Sequence, residues 1–589
     1  MDMNRKLLTT ALMFLLLCSA VFMSCKNETD KRGNTVTVRL TGEPERLNPL
    51  TTEEANAMQV MNNIFLSLLD FDPQSLELVP MLAKSRPSVS LIDTGKYKGG
   101  SAYTYEIRDE AMWDNGKPIT AADYVFTVKA IFNKAVGASD YRSSIDFIKD
   151  IVIDPQNPKK FTIFSDKRFI LSEAGTGTLP LIPEYAYDTE GVMKAYSIAD
   201  LTTSLKDTAK KADEALTKFA TAFQAVKFSR EKEGIVGSGA YALDNWVSGQ
   251  SIVLKKKDNW WGDKLVAQNP ILAANAQQIV YKPVKEAAAA VSMMQNGELD
   301  AIGTIPPKDF NTMKKDEKMT AQYEFAAVPA LSVVYAGYNC KDPKLNDKRV
   351  RRAIAHLFDV NAIIKTLAGG FGEPTTSPYI PQRAYYNKDL KPIALNIETA
   401  KNLLSEAGWK DTNGDSTVDK SIGGKKVEMS LKYVFAANND AAKNMGLMIQ
   451  ENGKKIGIKI NLEPLDAKIM LENLKKRDFD MFINSFNYPP VIDDPKQMWA
   501  SSSNTLDGGN RFQFENKQAD AMIEQIRSEL NEEKRNALYK QFQALLYDEQ
   551  PAVFLFARQE RIAVNKRFNT AIVARRPGFV PSSFKLKSN

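Results

Sequence analysis

The residue types that could carry covalent or metal chemistry are few in this chain, and their spacing narrows them further. His356 is the single histidine in 589 residues, so an HExxH zinc site or any multi-histidine metal site is excluded within one chain. A Ser-His-Asp triad would have to use His356, which follows Arg352 by one helical turn and reads as a surface or interface histidine. Cys18, Cys25 and Cys340 are the whole thiol inventory. Nothing around Asn339 to Pro343 suggests a nucleophile, and Cys340 reads as a small half-buried residue. The turn from Asp411 to Asp419 sets acids or amides at relative positions 1, 3, 5 and 9, which suits oxygen ligation of Ca²⁺. Ser416 stands where such a loop needs Gly, however, and Ile422 where it needs Glu, so it reads as a polar turn. Gly237 and Gly239 lack a third glycine, and Gly369 to Gly372 runs into Glu373-Pro374, so neither cluster is a phosphate loop. No catalytic residue, cofactor or metal is expected.

What remains is binding chemistry. The stretches Tyr335 to Asn339 and Ser485 to Pro490 combine aromatic rings with amide and hydroxyl groups. Each follows an apolar strand, where side chains would project into a cleft.

The elements that must position such groups are of mixed type. Thr35–Leu40 alternates as a strand and runs into a Pro-bounded loop through Pro49, and Tyr103–Arg108 alternates again. After the turn Trp113–Pro118, Thr120 and Asp123 form a capping-box arrangement opening a helix through Phe132, with Tyr124, Val125, Val128, Ile131 and Phe132 as its buried face. Between 201 and 226 the apolar positions advance in steps of three and four, the mark of an amphipathic helix or helix pair. Helices are expected over 350–358, 396–407 with Gly408 as the stop, and 440–455, and strands over 458–462 and 479–483. Alternation of this kind favours sheets covered by helices, an α/β class. The length allows roughly three to four domain-sized units, and no fixed repeat is visible.

The N-terminus speaks to compartment. Arg5 and Lys6 precede 17 mostly apolar residues, Leu7 to Met23, and the chain turns polar at Lys26, as in a secretory signal. Ser24-Cys25 resembles the processing site of bacterial lipoproteins, which implies lipidation at Cys25, although Phe22 and Met23 depart from the usual residues before it. With Cys25 lipidated and Cys18 removed, no intramolecular disulfide can form. The 78 basic against 71 acidic residues give +7, with no run of five basic residues, so nucleic acid is not an expected partner.

Seven motifs then fall into one order: Pro44 to Pro49; Tyr103 to Phe126; Gly237 to Trp246 with Trp260-Trp261; Gly297 to Asp300; Asn346 to Ile354; Ala400 to Trp409 with its Asp-rich turn; and Phe479-Asp480. In this order the chain resembles the family 5 extracellular solute-binding proteins, the oligopeptide- and dipeptide-binding receptors of ABC importers. The resemblance implies an α/β, type II periplasmic-binding-protein fold, with two ligand lobes, a hinge and an extra inserted α/β domain. Mapped onto this chain, residues 1–24 are the signal, 25–33 a lipidated tether, 34–55, 180–305 and 550–589 the first ligand lobe, 56–179 the extra domain and 306–549 the second ligand lobe. It further implies a monomer tethered in the periplasm or at the cell surface, a peptide or other small solute as ligand, and a permease as partner.

Peptide binders of the family commonly carry Trp-x-x-Asp after the Phe-Asp strand, the acid holding the peptide's ammonium. Here Pro489 stands where that Asp is expected, and acids follow at Asp493 and Asp494. The implied ligand contacts are Ser485, Phe486, Asn487 and Tyr488, with Tyr335 and Asn339 nearby, Tyr141 from the extra domain, Phe556, and Asp493 or Asp494 for an amine. A sugar oligomer, an opine or a chelated metal as ligand, or a holdase or adhesin role, stands as the alternative.

Overall fold

The computed structural model describes residues 32–206 and 213–588; the expected signal, tether and Cys25 lie outside them, except for Arg32 and Gly33. Its spine is an eleven-stranded mixed sheet. From one edge the order is Lys459–Leu465, Ser430–Ala436, Met481–Asn487, Tyr323–Tyr338, Ala552–Asn565, Ala301–Ile302, Thr35–Leu40, Gln278–Pro283, Ser251–Lys256 and Tyr241–Val247, with Gly372–Pro374 paired to Ala552–Asn565. Parallel pairs lie toward both ends of this order, Ser430–Ala436 with Lys459–Leu465 at one and Thr35–Leu40 with Gln278–Pro283 at the other. They require the helical crossovers that the sequence alternation implied.

The two lobes meet at the two longest strands. Tyr323–Tyr338 and Ala552–Asn565 run antiparallel, in register from Tyr323 opposite Asn565 to Pro329 opposite Gln559. The register then slips between Pro329 and Val333 and again between Val334 and Tyr335, and Leu331 adopts φ +40. A strand pair whose ladder breaks for three residues can bend with the loss of few backbone hydrogen bonds, which suits this place to a hinge. The packing divides at the same place. Val328 and Ile562 belong to the core built on Thr35–Leu40, whereas Val333 and Val334 fall into two cores on opposite faces of the other lobe.

Between Thr35–Leu40 and the rest of its lobe the chain inserts a four-stranded antiparallel sheet, ordered Ser88–Leu91, Ser101–Glu106, Lys160–Ser165, Ile148–Ile153. The helix Ala121–Phe132 joins the same core; the Asp123 carboxylate accepts from the Thr120 N–H at 2.9 Å, completing the expected cap. Phe126 is buried there and Val125 only half so. The 201–226 stretch contains two helices, Ile198–Lys206 and Glu214–Phe223, separated by residues outside the described set. No helix among the described residues is long and apolar enough to cross a membrane.

The ordered motifs hold this frame together. Asp300 is fully buried, accepting from the Thr37 N–H at 2.9 Å and from Arg567 at 2.9 and 3.0 Å, so one carboxylate ties the first strand to the C-terminal segment. Arg351, also buried, donates to the carbonyls of Leu345, Asn346, Glu549 and Gln550. The indoles of Trp260 and Trp261 both donate to Ser238 O. Asp480 accepts from the Lys432 N–H at 2.7 Å and from Lys344 at 2.8 Å. The Asp-rich segment is a turn in which Asp411 accepts from the Gly414 and Ser416 amides. His356 closes a helix with Nδ1 2.8 Å from Ala394 O. Cys340 is half-buried, and burial pushes its thiol up to about 11.

Candidate functional site

The strand Met481–Asn487 organises the site. One edge pairs with Tyr323–Tyr338 along its whole length, Ser332 opposite Asn487 through Tyr338 opposite Met481. The other edge meets Ser430–Ala436 only at Met481 and Phe482. From Ile483 to Asn487 that edge has no strand beside it, and the Ser485 N–H turns instead to Asn484 Oδ1 at 2.8 Å.

Two cavities border this strand and the loop after it. One, of about 580 Å³, is lined by Ile483, Ser485, Val334 and Phe556 from the sheet, Asn439 capping the helix that follows Ser430–Ala436, and Arg558 and Arg561 from the ribbon. Pro307, at the start of a helix packed near Met294, closes it from across the hinge. The second, about 350 Å³, has Leu331, Tyr488 and Pro490 on one side and Tyr141, Met58 and Arg575 on the other. Each is reached from both sides of the hinge, as a closing site requires.

Of the residues expected at a ligand, Ser485 and Phe556 therefore share the larger cavity, and Tyr488 and Tyr141 share the smaller. The Tyr488 hydroxyl is fixed by Pro378 O at 2.8 Å. Asn487 is exposed at the strand end and lines neither cavity. Three expectations need correction. Tyr335 does not project into the cleft: its strand continues to Tyr338, and its ring stacks on Phe486 at 4.0 Å, both buried. Phe486 is likewise core. Asn339 is buried beyond the strand, donating to Phe479 O and accepting from Gln513 at 2.7 Å, where it shapes a turn.

The acids also have other employment. Asp493 is buried, with the Tyr385 hydroxyl at 2.6 Å and Arg383 Nε at 3.8 Å, while Tyr539 donates to its carbonyl. Burial pushes its carboxyl up to about 6, Arg383 and the Tyr385 hydrogen bond opposing. Asp494 faces Arg527 with both oxygens at 3.0 Å. Neither is left for a ligand amine. Arg383 in addition donates to the carbonyls of Pro489, Pro490 and Val491, holding in shape the loop from which the expected Asp is missing.

Sequence reading missed several groups. Arg575 pairs with Asp70 at 2.8 Å and Arg576 with Glu560 at 3.2 Å beside the smaller cavity. Near Tyr141, Glu53 is held above the usual carboxylate range by burial and by the neighbouring Asp140. Arg558 was legible only as the first of three charges, with Glu560 and Arg561, in the second half of the strand Ala552–Asn565.

Comparison with known proteins gives one family. A family profile described as bacterial extracellular solute-binding proteins, family 5, matches residues 77–509. The oligopeptide-binding protein AppA of Bacillus subtilis (strain 168) is 26% identical over 579 residues, covering 94% of each chain. The structure of AppA from Bacillus subtilis with a bound nonapeptide superposes with a TM-score of 0.61, at 23% identity, over 94% of this chain and 99% of that one. HbpA2 from Haemophilus parasuis superposes at 0.73, with 18% identity, over 94% and 100%.

Proposed function

The chain belongs to the bacterial extracellular solute-binding proteins, family 5, and from that premise we propose that it is the receptor of an ABC importer, capturing peptides between its lobes and presenting them to a membrane permease. The observation that carries the peptide reading is the free outer edge of Ile483–Asn487 beside the larger cavity. An extended peptide added there gains main-chain hydrogen bonds that do not depend on its sequence, and side chains enter cavities roomy enough to keep water. The Asn484 side chain that meets the Ser485 N–H is the group a peptide carbonyl would displace. Ligand touching both lobes favours the closed form over the open one, and the ribbon at Pro329 to Val333 is where the bend would fall. Tethering through a lipid on Cys25 and action as a monomer belong to the same proposal.

A second reading keeps the receptor role with a non-peptide solute, a sugar oligomer, an opine or a chelated metal. It is favoured by Pro489 and by the engagement of Asp493 and Asp494, which leave the loop without a free acid for an ammonium. Mass spectrometry of small molecules released by denaturing the purified protein separates the two. Short peptides at about one per chain sustain the first reading; a single non-peptide species replaces it with the second.

A further inference from the structure

We infer that the 580 Å³ cavity receives an apolar group ending in a carboxylate, and that Arg558 is the residue that pairs with it. Under the function proposed above, on which this inference rests, that group is the C-terminal residue of a bound peptide.

The charge balance of the cavity is the starting point. Arg558 and Arg561 line it, and no Asp or Glu does. Arg561 is buried and already occupied: its guanidinium donates to Ile305 O and Gln559 O and lies 5.1 Å from the Phe371 ring. Arg558, opposite Gly372 in the ribbon, is exposed, and among the described residues its side chain makes no ion pair or hydrogen bond. Its charge is felt by Arg561, so the two guanidiniums raise the local positive potential together. A guanidinium offers a planar fork of donors that a carboxylate accepts in two parallel hydrogen bonds, a fit that a lysine would not reproduce.

The rest of the lining selects what is attached to that carboxylate. Val334, Leu367, Phe371, Met470, Leu474 and Phe556 make the walls apolar, so an alkyl or aromatic side chain displaces water with a gain that a small hydrophilic anion cannot obtain. A wholly apolar ligand would instead strip water from Arg558 and give it no partner. The position agrees with the strand edge: Ile483 and Ser485 line the same cavity, so a chain paired with that edge would reach Arg558 within a few residues.

The test is calorimetric titration of the purified protein with three probes: the peptide Ala-Ala-Ala-Ala-Leu, the same peptide amidated at its C-terminus, and dodecanoate. In the unaltered protein amidation should weaken binding tenfold or more. Arg558→Gln should weaken the free acid by a similar factor and leave the amide unchanged, so that the two converge; the unchanged amide also shows that the variant is folded. Arg558→Lys should recover part of the loss, and Leu471→Asp, which puts a carboxylate into the cavity wall, should weaken the acid more than the amide. Equal affinity for acid and amide in the unaltered protein overturns the inference and leaves the peptide receptor standing. Peptides that do not bind at all overturn the peptide receptor instead. In that case dodecanoate binding that Arg558→Gln abolishes keeps the anion site, with a free amphipathic acid as its source, and no binding of either probe overturns both.

Discussion

The two cavities at the hinge flank one strand and both carry guanidiniums, yet they handle charge in opposite ways. Beside the smaller one Arg575 is matched to Asp70 and Arg576 to Glu560, and in the loop behind it Asp493 meets Tyr385 while Asp494 meets Arg527. In the larger one Arg558 has no such partner among the described residues. Charge balanced within the chain fixes the shape of a wall; charge left unbalanced is what a ligand can answer. Counting ionisable residues near a cleft therefore says less than counting the ones without a match.

That contrast can be broken most forcefully at Asp493. Asp493→Ala takes the carboxylate from a buried Arg383 and from the Tyr385 hydroxyl, so unfolding in urea should show a loss of about 3–5 kcal/mol; a variant of normal stability with lost peptide affinity would return Asp493 to the ligand. A subtler version uses pH. Below pH 3.8 the Asp493 carboxyl is protonated whether folded or unfolded, and above about 6 it is ionised in both, the form that burial disfavours. Its contribution to stability is thus full at the acid end and falls as pH rises from about 4 to 6, by up to about 3 kcal/mol. The stability difference between the protein and Asp493→Asn should shift in favour of the variant by that order between pH 4 and pH 7. Opening the matched pair with Asp70→Asn should cost about 1 kcal/mol, since both side chains are partly exposed. It should also raise affinity severalfold for a peptide with an interior Asp, as Arg575 becomes available. The smallest effect sharpens the contrast most: Arg558→Gln should leave the free energy of unfolding in urea within about 0.5 kcal/mol of the original, because no protein partner is lost.

Much of the frame was legible because its signals are local. Thr35–Leu40 alternates and is a strand; Asn396 caps the helix Ile397–Glu406, and Gly408 with φ +87 ends it. The strand expected over 479–483 lies at Met481–Asn487, displaced because Phe479 and Asp480 serve the preceding turn, Asp480 being held by Lys432 and Lys344. The ordered motifs also proved to be scaffold, with Asp300, Arg351 and the paired tryptophans buried or half-hidden and tied to backbone. The site was less legible for a physical reason. Whether an aromatic lines a cleft or a core depends on which face of the sheet another segment covers, and Tyr335 is covered by Phe486 and Phe512, the latter far along the chain. Whether an acid is free depends on partners just as distant, Tyr385 for Asp493 and Arg527 for Asp494, and no spacing rule reaches them.

Cys340 has a practical consequence. With its thiol at about 11, roughly one molecule in ten thousand carries the thiolate at pH 7, and the side chain packs half-hidden beside the Phe512 cluster. Once Cys18 and Cys25 are replaced by serine, maleimide dyes or spin labels would find little competing sulfur in the native protein. Cysteines introduced at Met58 and Asn487 would then report the separation of the lobes directly, so that opening and closing could be followed in single molecules without first knowing the cargo.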